Sequence, residues 1–366
     1  MCEVHNKTTK TAGRHKTIPV SQAVGTILAH DITEIRRDEF KGAAFRKGHI
    51  IKQDDICHLQ RLGKEHLFVL DIADDEMHED DAAYEIAYAL KGDGVEIQGE
   101  PREGKINLAA GHDGILKINT DALLQFNMLG EIMCATIHNN TLVKKGQIIA
   151  GTRAIPLVVK RDIIAEAVSI GQKARNSTFP ENRSGIIEVR ELRGFQAGIV
   201  ITGNEIFYGR IKDAFAPVIS NKVKDLGGEI IDVCFVPDDE DLILQSLERM
   251  LGAGADLIVM TGGMSVDPDD LTRFAVKKLA EDILYGSSVL PGAMFLLAYI
   301  KRADSIIPVL GIPACGMYHK TTVFDLVLPR ILAGEVIGRK ELAELGHGGL
   351  CLNCKECRYP VCPFGK

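Results

Sequence analysis

The stretch Met260-Thr-Gly-Gly-Met-Ser-Val-Asp-Pro-Asp-Asp-Leu-Thr272 joins an apolar run to two glycines and then to three acids, Asp267, Asp269 and Asp270. Bare backbone at Gly262 and Gly263 lets N–H groups approach an anion closely, and carboxylates beside a phosphate require a bridging divalent cation such as Mg²⁺. Two more glycine-bearing turns follow apolar runs: Thr202-Gly203-Asn204-Glu205 and Gly311-Ile312-Pro313-Ala314-Cys315-Gly316. If the three runs are parallel neighbours, their turns share one sheet edge, and phosphate or another oxyanion is the expected guest. Any one such turn is ordinary in a strand–helix connection, and one of Asp269 and Asp270 is expected only to cap the next helix. Cys315 has two readings, a group facing the ligand or a small buried hydrophobe.

A second group of reactive side chains lies near residue 360. Cys351, Cys354, Cys357 and Cys362 have the spacing C-x-x-C-x-x-C-x4-C-P, one residue longer at the last interval than the bacterial ferredoxin run. Four thiolates with so little apolar material around them suit an iron–sulfur cluster or tetrahedral Zn²⁺; the alternative is a tail of free, oxidisable thiols. Nine cysteines, an odd number, do not suggest a disulfide framework.

These groups need a scaffold, and 366 residues with 46% hydrophobic content allow two or three cores. A formal charge of −7 with both signs mixed along the chain offers no basic face for nucleic acid. No stretch has the apolar length of a membrane span and no apolar leader is visible, so a cytoplasmic protein is expected. Residues 1–16 read as a polar tail. Residues 17–92 read as an α+β region: Ala23, Ile27 and Leu28 have helical spacing, then comes a strand pair and a helix starting near Asp54 and ending at Gly63. The acids between Asp71 and Asp81 read as a solvated face.

Residues 93–185 read as a β-rich module and linker, with Asn139 and Asn140 at a turn and a helix over 161–173. From 189 to 336, short apolar runs alternate with helical patterns. That alternation predicts an α/β/α domain with a mostly parallel sheet covered on both faces. Residues 340–366 form the cysteine-rich segment.

From Gly198 to Gly334 the chain resembles the molybdopterin-binding domain shared by molybdopterin adenylyltransferases and molybdopterin molybdenumtransferases. The resemblance rests on Val236-Pro237-Asp238-Asp239, on Asp256 to Gly263, and on Pro268, Asp270 and Thr272. Pro19 to Leu70 is similar, more loosely, to the start of the molybdenumtransferases. What the resemblance implies is a homodimeric, three-layer α/β/α protein that binds molybdopterin or adenylated molybdopterin and inserts molybdate with the help of Mg²⁺. It assigns catalysis to Asp238, Asp270 and Glu205. It assigns substrate binding to Thr202, Gly203, Asn204, Ser220, Asn221, Thr261, Gly262, Gly263, Ser265, Pro291, Gly292, Pro313 and Cys315. Tungstate shares the charge and shape of molybdate, so both metals remain open.

Departures from that family pattern favour a second reading. Asn204 and Ile219 stand where the molybdenumtransferases usually carry acids, Ala293 stands where a base is expected, and Cys315 lies in a substituted turn. Loss of these charges weakens the electrostatics of transfer. A carrier or sensor that keeps the pocket without turnover is the alternative, with the cysteine segment as its iron–sulfur or zinc site.

Overall fold

The computed structural model describes residues 15–36, 40–70, 72–176, 184–264, 271–302 and 305–366. Its first unit, residues 15–70, holds a three-stranded sheet ordered His15–Pro19, His66–Leu70, Ile27–Leu28, beside the hairpin Ile32–Arg36 and Phe40–Phe45. Leu28, Leu59, Leu67 and Val69 fill its small core. The helix expected after Asp54 is present as Asp55–Arg61, followed by Gly63 at φ +73°. The helical reading around Ala23 fails: a short 3₁₀ turn, Val20–Gln22, leads to Ile27 and Leu28 in a strand that pairs with His66–Leu70. Tertiary pairing outweighs a weak local periodicity here.

The second unit is built on an antiparallel four-stranded sheet and a three-stranded one that includes Ile187–Arg190. Its core takes in Ala82, Ala83, Ile86 and Leu90 from the helix Glu79–Leu90. The boundaries read from sequence therefore move, from 92 to the region of residue 76 and from 185 to 190. The apolar face of the Glu79–Leu90 helix is covered by the second unit's strands and by the helix Arg161–Arg175, not by residues 17–70.

Residues 196–345 form the α/β domain. Its strands are β1 (Gln196–Thr202), β2 (Glu229–Val236), β3 (Leu257–Thr261), β4 (Ile283–Tyr285), β5 (Leu296–Arg302) and β6 (Ser305–Ile312). Its helices are α1 (Asn204–Phe207), α2 (Phe215–Asp225), α3 (Glu240–Gly252), α4 (Thr272–Leu279), α5 (Cys315–Tyr318), α6 (Val323–Leu332) and α7 (Arg339–Glu344). The sheet order is β2-β1-β3-β6-β5-β4, with β2, β1, β3 and β6 parallel and β5 antiparallel to both its neighbours. Separate apolar clusters lie on the two faces, as expected for strands buried on both sides. The cysteine segment is not a separate unit. Phe364 belongs to one of these clusters, and Cys351 N–H donates to the Leu290 carbonyl at 2.8 Å.

The second unit meets the α/β domain through buried charge. Lys117 Nζ lies 2.6 Å from Glu335 Oε1, their side chains being 2% and 3% exposed, and Arg330 Nη2 lies 2.9 Å from Glu335 Oε2. Lys117 also donates to Asn140 Oδ1 at 2.7 Å. Burial opposes ionisation of Glu335, but the two cations outweigh it and hold the carboxyl below its usual range. Cutting such a triad leaves buried charge uncompensated. Lys117→Met is therefore expected to lower unfolding free energy by about 3–5 kcal/mol in a urea titration. The contribution of Glu335 is present at neutral pH and lost as pH falls through its depressed folded-state value.

The first unit meets the second at His78, whose Nε2 lies 3.0 Å from the Gly48 carbonyl, and at Glu79. Burial, with Asp80 beside it, pushes the Glu79 carboxyl up to about 7. A carboxyl raised in the folded state favours the native protein at low pH and penalises it as pH rises toward 7. Glu79→Gln is expected to raise Tm at pH 8 and to leave it nearly unchanged at pH 4.5, as differential scanning calorimetry would show.

Candidate functional site

Strand register decides whether the glycine turns converge. Thr202 of β1 pairs with Val236 of β2, while Thr261 of β3 pairs with Ile201 of β1 and with Ile312 of β6. The turns after Thr202, Val236, Thr261 and Ile312 thus leave the sheet along one line, its carboxyl edge. This is the arrangement that the three sequence turns required.

At that edge the backbone is set for close approach. Gly262 has φ +87°, and a Cβ there would lie 2.1 Å from the Thr202 carbonyl oxygen; at Gly263, φ +58°, it would lie 2.4 Å from Thr272 Oγ1. Two threonine hydroxyls brace the turn. Thr202 and Thr272 Oγ1 are 3.1 Å apart, Thr272 Oγ1 donates to the Gly262 carbonyl at 3.1 Å, and Thr202 Oγ1 donates to the Thr261 carbonyl at 3.3 Å. Thr261 Oγ1 is buried and has no hydrogen-bond partner among the described residues.

Asp238 and Asn204 are locked together across two turns. Asn204 N–H donates to Asp238 Oδ2 at 2.9 Å, and Asp238 N–H donates to Asn204 Oδ1 at 3.3 Å. The side-chain oxygen of Asn204, where an acid is expected, therefore holds the Asp238 backbone, while the Asn204 backbone N–H orients the Asp238 carboxylate. Asp239, next in sequence, caps α3 by accepting from Leu242 N–H at 2.9 Å. Glu205 is exposed at the start of α1, with its carboxylate folded over Gly203.

Ser220 and Asn221 do not sit in a turn. They lie in the middle of α2, whose Phe215, Ile219 and Val223 face the core at i, i+4 spacing, and Ile219 is 1% exposed. Pro291 and Gly292 sit against α6: a Cβ on Gly292, at φ +132°, would lie 2.5 Å from Val323 Cγ1, and Val323 N–H reaches the Pro291 carbonyl at 3.3 Å. Pro313 is buried and Cys315 half-buried at the start of α5. Burial pushes the Cys315 thiol up, which argues against a ready nucleophile. Ser265, Asp267, Asp269 and Asp270, and with them the expected Mg²⁺ ligands, lie outside the described residues. Among the described residues, no three His, Cys, Asp or Glu side chains gather as one metal ion would require.

Sequence reading missed two features. Arg273, the second residue of α4, stacks its guanidinium over Phe274 at 4.9 Å and over Tyr285 at 5.7 Å, and its Nε is buried without a hydrogen-bond partner among the described residues. Lys222 of α2 bonds the Asp325 carboxylate, which also accepts from Thr322 N–H at 2.7 Å in the capping box of α6. Neither pairing has a local signature: the first needs β4 and the second spans about a hundred residues. Away from the edge, all four cysteines of the C-terminal segment line one cavity of about 420 Å³. A polar cleft of about 1180 Å³ between the second unit and the α/β domain is lined by Lys117, His138, Lys173 and Lys340.

Together the register and the turns define one glycine-lined carboxyl edge on an α/β/α domain. Residues 198–333 match the family described as the probable molybdopterin binding domain, and residues 17–71 match a domain of unknown function. The resemblance read from sequence thus holds for the α/β domain. A CinA-like protein of Mycobacterium avium (strain 104) is 36% identical over 224 residues, 47% of this chain and 51% of the relative. Another, from Mycobacterium leprae (strain TN), is 34% identical over 93 residues, 24% of this chain and 22% of the relative. The chain therefore spans about half the length of the first relative and about a fifth of the second.

Among solved structures, the tungsten cofactor synthesizing protein MoaB from Pyrococcus furiosus is 20% identical and covers 39% of this chain and 97% of its own, with a TM-score of 0.33. The CinA protein of unknown function from Thermoplasma acidophilum is 20% identical and covers 34% of this chain and 90% of its own, with a TM-score of 0.29. Scores this low support no functional argument. Among the described residues, no helix is long and apolar enough to cross a membrane.

Gly262→Ala places a methyl group against backbone that has no room to move. A left-handed non-glycine residue costs about 1–3 kcal/mol, and the clash with Thr202 adds to it. The variant is expected to unfold at lower urea concentration in an equilibrium titration.

Proposed function

We propose that the α/β domain binds molybdopterin, free or adenylated, at its carboxyl edge, and that the protein inserts molybdate into it with Mg²⁺ assistance. The observation that carries this reading is that the molybdopterin-binding family match falls on the one domain whose glycine turns register to a single edge. Backbone N–H groups of the Gly203 and Gly262–Gly263 turns take the phosphate, where closely approaching donors and the fixed dipoles beside them favour negative charge. Asp238, oriented by Asn204 N–H, presents a carboxylate there, and Glu205 presents a second.

Mg²⁺ keeps several waters and uses one or two carboxylates plus substrate phosphates, so this role does not need a dedicated cage of protein ligands. When bound, it neutralises charge on the phosphate and on the departing group. Asp270 belongs to the same assignment through the resemblance.

A second reading rests on Asn204 and Ile219. The amide oxygen of Asn204 is used to hold the Asp238 backbone, and Ile219 is core, so two family acids have been exchanged for positioning and packing. A carrier that binds the pterin without turnover fits those exchanges.

One anaerobic experiment separates the readings: titration of the purified protein with molybdopterin, then addition of molybdate and Mg²⁺ with an assay for active cofactor. Conversion by the unmodified protein, lost by about 10²-fold or more in Asp238→Asn and Asp270→Asn with binding retained, is the expected result. Full conversion by both variants would overturn the assignment of those acids. Binding without conversion by the unmodified protein would establish the carrier.

A further inference from the structure

We propose that Cys351, Cys354, Cys357 and Cys362 hold a cubane [4Fe–4S] cluster, and that a single zinc ion is not their guest. This inference does not depend on the pterin reading. All four thiols line the same cavity of about 420 Å³, although they come from a segment of only twelve residues. The backbone explains how. Asn353, at φ +49°, turns the chain between the first two cysteines, and Val361 N–H donates to the Arg358 carbonyl at 2.7 Å in a turn that returns Cys362 to the cavity.

The cavity is anchored on both sides. Leu290 N–H donates to the Gly349 carbonyl at 2.8 Å and Cys351 N–H donates back to Leu290 at 2.8 Å, while Tyr359 packs edge-on against the buried Phe364. Cys357 Sγ lies 3.6 Å from Thr321 Oγ1, in the loop that follows α5. A flexible tail of free thiols would show none of this.

Spacing separates the two metals. Cys351, Cys354 and Cys357 keep the C-x-x-C-x-x-C interval of the bacterial ferredoxin run, and Pro363 follows the fourth cysteine as in that run. Four-cysteine zinc sites instead set two C-x-x-C pairs apart by a longer stretch of chain. The other lining residues suit the cluster's charge. A [4Fe–4S] core with four thiolates is an anion, and Lys320, Lys355 and Arg358 line the same space. Isolated zinc tetrathiolate is also anionic, so charge supports a metal thiolate and the cysteine spacing selects the cluster.

The test uses the full chain, reconstituted anaerobically with ferrous iron and sulfide, and in parallel loaded with zinc in competition with iron. The expected result is four irons and four sulfides per chain, with a broad visible charge-transfer absorbance that bleaches on reduction. Cys354→Ser removes an exposed thiol without touching the core and is expected to lose the bound iron and sulfide with unchanged circular dichroism. Cys57→Ser, an exposed thiol of the first unit, is expected to keep both. One zinc per chain that excludes iron, a two-iron product, no bound metal, or full iron content in Cys354→Ser would each overturn the proposal.

Discussion

The pairing of Lys117 with Glu335 and Arg330 is the interaction on which the arrangement of this molecule depends. A buried ion cluster adds little net stability over apolar residues of the same shape, but it tolerates almost no displacement, because every misplacement strands a charge away from water. It therefore fixes orientation more than it adds energy. Glu335 follows directly on α6, so the triad holds the far end of that helix. The near end is held by the capping box of Thr322 and Asp325, with Lys222 bonded to it from α2. Val323, the first residue of α6, is also the wall against which Gly292 packs, and Thr321, two residues earlier, faces Cys357. One helix thus connects the domain junction to the carboxyl edge and to the cysteine cavity.

The edge illustrates how a family pattern can lose charge and keep shape. The Asn204 backbone N–H donates to the Asp238 carboxylate, its neutral side-chain oxygen accepts from the Asp238 N–H without adding a second negative charge, and the two turns close on each other. The hydroxyls of Thr202 and Thr272 do the equivalent for the next turn, holding the Thr261 and Gly262 carbonyls in place. What remains for a ligand is backbone N–H, one oriented carboxylate and one exposed carboxylate.

Much of the α/β domain was legible because parallel strands buried on both faces leave continuous apolar runs, and the helices between them carry clear i, i+4 spacing. The same logic, applied too locally, misread two places. Ser220 and Asn221 read as a polar pair at a binding site until Phe215, Ile219 and Val223 are included, whereupon they lie in the middle of a core-packed helix. Ala23 to Leu28 has helical spacing but lies beside a strand that needs a partner. The helix Glu79–Leu90 was legible as a helix, yet sequence does not say which strands cover its apolar face, and the domain boundary followed the wrong neighbour. The Lys117 triad had no signature at all, since a lysine in a strand reads as a solvated residue until the surface opposite it is known.

Lys117 and Glu335 are 218 residues apart, and this separation has a temporal meaning. Synthesis proceeds from the N-terminus at about 5–20 residues per second, with domains folding as they emerge. The second unit is complete by Arg190, and at these rates it waits about 7–29 s for Glu335 to exist. During that interval Lys117 is a hydrated surface charge on a folded module. The nascent chain must later dehydrate that lysine while docking its last helices, so the final domain closes onto a surface that has been wet throughout its early life.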